Sequence, residues 1–493
     1  MVTFLIGVAL LILGYFTYGK FIEKNFAIEP DRKTPAEVLQ DGYDYVPMPK
    51  WKNGIIQLLN IAGTGPIFGP IMGALYGPVA YLWIIFGCIF AGAVHDYMLG
   101  MISLRNNGAH LPELAARYLG KVMKHIVNVF SMLLLMLVGT VFVTTPANLI
   151  NSITPSWVGV GVVTLLIFGY YIISTILPID KAMGKVYPIF GAVLILSTLA
   201  IGGTLLVQHG GAMPNLTPAT MQNFHPGGLA IFPALFFTIS CGAMSGFHAT
   251  QAPLVSRTTT DEREGRFTFY GMMIAEGVIA MVWAAAAMTL FDGQTLGEMI
   301  NAGTASLVVN EVSLLLLGSV LGTAAIMGVI VLPISSGLSA FRSLRTIVAD
   351  YLNIKQDTIT KILAITIPLY LISFFLTQVD FNNLWRYFNW ANQVTAVIAL
   401  FVSTRYLYLK DKNYWVTIVP GVFMLYAVLV YIMSEPIGFR LGLTPAAYIV
   451  SAILSAALLW IFWESGKKQK AQLDPEHALL NDDLPIGTFS SNG

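Results

Sequence analysis

Apolar residues run along this chain in blocks of about twenty, separated by short polar stretches, and do not alternate or recur at amphipathic spacing. A block of that length spans the hydrocarbon of a bilayer as one helix, in which every backbone polar group is paired within the segment. The pattern predicts thirteen helical spans, at 2–22, 54–76, 78–104, 122–150, 156–178, 186–207, 229–256, 267–291, 312–340, 361–378, 382–404, 414–433 and 444–463. They are numbered one to thirteen below. The expected fold is an all-α polytopic membrane protein forming a single domain. A first span and polar loop (1–53) precede two sets of five spans (54–207 and 208–404), two further spans (405–463) and a polar cytoplasmic tail (464–493).

Composition narrows this reading. Of the 493 residues, 56% are hydrophobic and 11% charged, where a soluble domain carries roughly 45–50% and about 25%. So few charges exclude a soluble enzyme, and a net charge of +1 gives no reason to expect a nucleic acid partner. Membrane lipid is the expected surrounding. With Met1 placed outside, 25 of the 27 Lys and Arg fall in cytoplasmic segments, leaving only Arg386 and Arg440 outside. The first 24 residues lack the basic start and small-residue cleavage site of a signal peptide. They read as a retained span, with the N-terminus outside and the C-terminus cytoplasmic. Cys88 and Cys241 lie in apolar runs, where a thiol acts as a small buried hydrophobe, so no disulfide or redox role is expected.

Two spans are interrupted. Span two contains Gly63-Thr64-Gly65-Pro66-Ile67-Phe68-Gly69-Pro70, and span seven contains Ser240-Cys241-Gly242-Ala243-Met244-Ser245-Gly246-Phe247-His248, with Pro253 beyond. Such clusters predict unwinding, although they also serve as close-packing points. Gly63 and Gly242 are 179 residues apart, and each opens a set of five spans. Five is odd, so the second set enters the membrane in the opposite direction to the first. Paired broken helices in two inverted halves point to a transporter's midplane site. The expected substrate-binding residues are Gly63, Thr64, Gly65, Ser240, Gly242, Ser245 and His248. Asn392 and Gln393, below the aromatic belt at the start of span eleven, join them as residues facing a polar cavity.

Ionisable residues at bilayer depth are functional candidates by default. Glu276 of span eight is the first: a carboxyl group away from water can load and release a proton near neutrality, or it can cap the free N–H groups of a broken helix. Asp96 reads first as structural, paired with a cytoplasmic base, and His95 and His248 as packing histidines. Ser335 and Ser336 of span nine either bond back to their own helix or coordinate Na⁺ with carbonyls of span two. The ion-coupling set is therefore Glu276, Asp96, His95, Ser335 and Ser336, with H⁺ or Na⁺ as the ion and no cofactor.

The stretches IAGTGPIFGPIMGALYG, AGAVHDYMLGMISLRNNGAHLPELA, SCGAMSGFHATQAPLVSRT, YGMMIAEGVIAMVWAAA and LWRYFNWANQ resemble the carbon starvation protein A family of bacterial inner-membrane transporters, from about residue 50 to 435. The resemblance implies a leucine-transporter-like core. It also implies cation-driven uptake of small peptides or pyruvate under nutrient limitation, and no enzymatic activity. The chain is shorter than better-known members. A membrane-embedded redox or enzyme subunit is the alternative of another class, and a passive channel a third. The redox reading needs ligating histidines within the membrane, and only His95 and His248 of the seven histidines lie clearly inside spans.

Overall fold

A computed structural model describes residues 1–155, 157–177 and 187–472. Each of the thirteen predicted spans contains helix, and no strand occurs among the described residues. The expectations for Lys181 and Lys185 and for the tail past residue 472 lie outside the described residues. Among the described residues nine helices are long and apolar enough to cross a membrane, or ten if the pair Lys50–Ala62 and Gly65–Tyr76, bent by 46°, counts as one span. The remaining predicted spans differ for local reasons. Span five is the short helix Val160–Thr175, and span seven is broken. Span eleven, Phe381–Leu409, is long but carries Arg386, Asn389, Asn392 and Gln393.

Helices differ in how much of their apolar surface the protein covers. Of the most apolar stretch of Val2–Phe26, 28% is buried, and of Pro445–Ala471, 22%, against 78% in Val79–Arg105. Leu13, Phe16, Ile453 and Trp460 are more than half exposed. Such a surface is unfavourable in water and unstrained in hydrocarbon, so spans one and thirteen meet lipid while span three forms the interior. The chain is a multi-pass membrane protein.

Both expected breaks are present, shorter than the sequence suggested. In span two only Gly63 and Thr64 leave the helix, Gly63 at φ 46°. Pro66 falls in the first turn of Gly65–Gly73, where its missing N–H would be unpaired in any case. In span seven the chain is helical or nearly so to Thr238, unwinds with Gly242 at φ 88°, and resumes as Gly246–Ser256. His248 therefore stands in the first turn of a helix rather than in the unwound stretch. The predicted ninth span belongs to a longer helical run, Gly293–Tyr351. That run turns sharply at Gly318 (φ 72°), which brings its two sides so close that a Cβ on Gly322 would meet the Ser313 carbonyl at 2.7 Å.

Between spans three and four the connecting segment forms the amphipathic helix Leu111–Leu119, with Pro112 in its first turn. Burial, reinforced by the neighbouring Asp350 carboxylate, pushes the Glu113 carboxyl up to about 7 from its ordinary 4.5. Between these values the folded protein holds a proton that the unfolded chain has lost, so stability falls as pH rises through this window. Glu113→Gln removes that cost. Purified Glu113→Gln protein is expected to melt with wild type near pH 4.5 and to exceed it at pH 8 by roughly 1–3 kcal/mol. Equal melting temperatures at pH 8 would contradict the burial argument.

Candidate functional site

The two broken spans cross at their breaks. Gly65, Gly69 and Gly73 lie four residues apart and present backbone where side chains would stand. An added Cβ would lie 2.2 Å from the Cys241 Cβ, 2.9 Å from the Thr238 carbonyl and 2.3 Å from the Ile239 side chain, respectively. A Cβ on Gly63 would meet the Phe142 ring of span four at 2.4 Å, and one on Gly242 would meet Ala280 of span eight at 2.6 Å. Glycine at these positions permits both the left-handed backbone and the close approach.

A broken helix leaves backbone groups without intrahelical partners, and span eleven supplies partners for span seven. Asn392 Oδ1 accepts the Phe247 N–H at 2.7 Å and the Ser245 hydroxyl at 3.1 Å. Gln393 Nε2 donates to the carbonyls of Phe236 and Met244, both at 3.1 Å, and Ser240 Oγ donates to Asn389 Oδ1 at 3.3 Å. The structure thus brings the candidates Ser240, Ser245, Asn392 and Gln393 into one lattice that holds the break open.

Beneath it lies a row of ionisable side chains, each with zero exposure. Asp96 Oδ1 is 2.8 Å from His95 Nδ1, Asp96 Oδ2 is 2.9 Å from His248 Nδ1, and His248 Nε2 is 3.5 Å from Glu276 Oε2. Asp96 thus pairs with two histidines of the interior and not with a cytoplasmic base. An ionised carboxylate only accepts, so it places the proton of each imidazole on Nδ1. The Nε2 of His248 is then left with its lone pair, and it faces Glu276 Oε2 across 3.5 Å. Cys241 Sγ, a His248 ring nitrogen and the Glu276 carboxylate lie within 4.8 Å of one another. That spacing would admit a transition metal, and the Cys241 thiol also contacts Ser245 Oγ at 3.4 Å.

Ser335 Oγ bonds back to Leu332 O at 2.7 Å, and Ser336 Oγ donates to Leu59 O of span two at 2.6 Å. A face that sequence reasoning passed over lies nearby. Gln57, Asn60 and Thr64 are buried on one side of span two, and their side-chain polar atoms make no hydrogen bond among the described residues. Asn128 Nδ2 and Ser131 Oγ of span four and Gln251 Oε1 of span seven are in the same condition. Buried polar atoms are nearly always paired, so these atoms are candidates to meet water or solute. Its signal was present: polar residues three and four apart in an otherwise apolar span.

Fold and site define a transporter-like membrane protein with two broken helices crossing over buried ionisable groups. Residues 1–210 and 162–315 match the family described as Carbon starvation protein CstA, and the chain belongs to that family. It is 48% identical over 356 residues to an uncharacterized membrane protein of Haemophilus influenzae, covering 62% of this chain and 96% of that one. It is 29% identical over 359 residues to the pyruvate/proton symporter BtsT of Escherichia coli, covering 58% of this chain and 49% of that one. To the peptide transporter CstA of Escherichia coli it is 28% identical over 380 residues, covering 61% and 53%. The chain therefore spans about half the length of these two transporters. A manganese transporter of Eremococcus coleocola shares its fold, with a TM-score of 0.55 at 14% identity, covering 86% of this chain and 97% of that one.

Proposed function

We propose that this protein is a secondary active transporter of the bacterial inner membrane that imports a small carboxylate-bearing solute, pyruvate or a small peptide, together with H⁺. The observation that carries this reading is the buried row Asp96, His248, Glu276 placed at the break of span seven. A proton taken up there neutralises a charge beside the crossing point of the two broken helices, and so biases which side of the membrane the crossing point faces. The reading includes thirteen crossings with Met1 outside, and an inverted pair of five-span sets moving about spans two and seven. The names of the two Escherichia coli transporters support the solute class.

A second reading of the ion rests on Ser336. Its hydroxyl meets Leu59 O just before the span-two break, where carbonyls and hydroxyls together would suit Na⁺. Liposomes containing the purified protein separate the readings. Labelled pyruvate and dialanine, each supplied under a proton or a sodium gradient alone, are expected to accumulate under the proton gradient for at least one solute. Accumulation under sodium alone would transfer the coupling to the Ser336 region. Equilibration without accumulation under either gradient would indicate a passive channel, and a Soret band in the visible spectrum would indicate a redox subunit.

A further inference from the structure

The loop between span one and span two carries a tight knob. Asp41 Oδ1 accepts the backbone N–H groups of Tyr43, Asp44 and Tyr45 at 2.8, 2.9 and 2.9 Å. The knob is anchored by Tyr43 Oη donating to Thr175 O at 2.7 Å and Tyr45 Oη donating to Asn107 O at 2.9 Å. Its tip, Asp44, meets two arginines of the helix Gly293–Tyr351. Asp44 Oδ1 accepts from Arg342 Nε at 3.1 Å and from Arg342 Nη2 at 2.9 Å. Arg345 Nη2 stands 4.0 Å from Asp44 Oδ2. The Tyr43 ring lies under the Arg342 and Arg345 guanidinium groups, 5.0 and 6.0 Å from its centre, and the Tyr45 ring lies 5.1 Å from that of Arg257.

Arg345 is the informative member. Its side chain is 1% exposed, yet Nε, Nη1 and Nη2 make no well-formed hydrogen bond among the described residues, with the Tyr43 side chain and the Asp44 carboxylate as polar neighbours. A buried guanidinium normally spends its fork of donors on a carboxylate or phosphate. Asp44 is the one carboxylate within ion-pair distance of Arg342 or Arg345 among the described residues, and Arg342 takes its near oxygen twice. Asp350 and Glu113 lie toward Arg257. Burial raises the Asp44 carboxyl, but Arg342, Arg345 and Arg257 outweigh it and hold the group below the usual carboxylate range, so it is ionised at neutral pH. The helix that carries Arg342 and Arg345 also touches both broken spans. On the same helix, Ser336 touches span two just before its break, and Ser343 Oγ donates to Thr250 O of span seven at 3.0 Å.

We propose that Arg257, Arg342 and Arg345 form a carboxylate-binding subsite at the cytoplasmic end of the pathway, that Asp44 occupies it in this closed conformation, and that the transported solute's carboxylate takes its place on release. The solute class rests on the proposed function; the subsite itself does not. Pyruvate and a peptide's C-terminus offer the same group, so the pocket serves either. The tethered Asp44 has a high effective concentration, which keeps the exit shut until a solute arrives from the membrane side.

The test is chemical rescue in purified, detergent-solubilised protein. Asp44→Ala empties the pocket, and its melting temperature is expected to fall below wild type. Acetate, pyruvate or dialanine at tens of millimolar should then raise it by about 3 °C, with no comparable rise for wild type or for chloride at equal ionic strength. Asp44→Ala/Arg342→Gln/Arg345→Gln should lose the rescue, and Asp44→Asn, which keeps the shape of the knob, covers the case in which the alanine variant does not fold. Rescue by pyruvate or dialanine well beyond acetate would identify which solute the pocket prefers. Carboxylates doing no more than chloride on either single variant would overturn the subsite. Rescue needs no gradient, so a failure of gradient-driven uptake leaves this result intact and counts against the transport reading alone.

Discussion

Glu276→Gln protein in liposomes should equilibrate labelled substrate but no longer concentrate it. An amide of the same size keeps the shape and the neutral form of a protonated carboxyl, so the two broken spans can still exchange sides with substrate bound. It cannot release a proton, so the proton gradient no longer biases the exchange, and the accumulation ratio should fall to unity. Each tenfold of accumulation lost is about 1.4 kcal/mol of coupling removed. Counterflow, in which unlabelled substrate inside drives labelled substrate in, should persist at a rate within about tenfold of wild type. His248→Gln tests the other side of the 3.5 Å gap, since an amide there cannot take up a proton on the side that faces Glu276. Concentrative uptake by Glu276→Gln at the wild-type ratio would move the proton site elsewhere.

The parts of this molecule legible in the sequence are those set by near neighbours. Blocks of apolar residues gave helix at all thirteen predicted places, because in lipid the backbone has no other partner than itself. Gly63 and Gly242 announced the breaks because left-handed backbone is nearly closed to other residues. The extent of each break was not legible. Span two re-forms its helix at Gly65 because Pro66 is tolerated in a first turn. Span seven re-forms at Gly246 because Asn392, 145 residues further on, accepts the Phe247 N–H.

The ionisable row shows the same division. Each of Asp96, His248 and Glu276 was conspicuous alone as a costly residue in an apolar span, but that Asp96 bridges two histidines depends on contacts 152 residues apart. Asp44 and Arg342 are 298 residues apart. Nothing local distinguishes Asp44 from the other acids of its loop, and Arg342 and Arg345 read in sequence only as cytoplasmic bases.

Asn392→Ala is the second large expected effect, and it decides between two roles for one residue. As a substrate ligand, Asn392 would affect affinity and leave the empty protein unchanged. As the residue that closes the span-seven break, it affects the empty protein. Its Oδ1 accepts from Phe247 N–H and Ser245 Oγ at a site with no exposed surface. Removing it leaves a buried backbone donor at the start of Gly246–Ser256 unpaired, which costs about 1–3 kcal/mol, and adds a cavity. The first turn of that helix carries His248, so loosening it also lengthens the 2.9 Å contact with Asp96. Purified Asn392→Ala is therefore expected to melt several degrees below wild type without substrate, and its maximal uptake rate should fall more than tenfold with little change in KM. Asn392→Asp retains an acceptor for the Phe247 N–H and should recover most of the melting temperature. A variant with wild-type melting and a raised KM would instead place Asn392 against the substrate, and the lattice around Ser240, Ser245 and Gln393 would then have to hold the break without it.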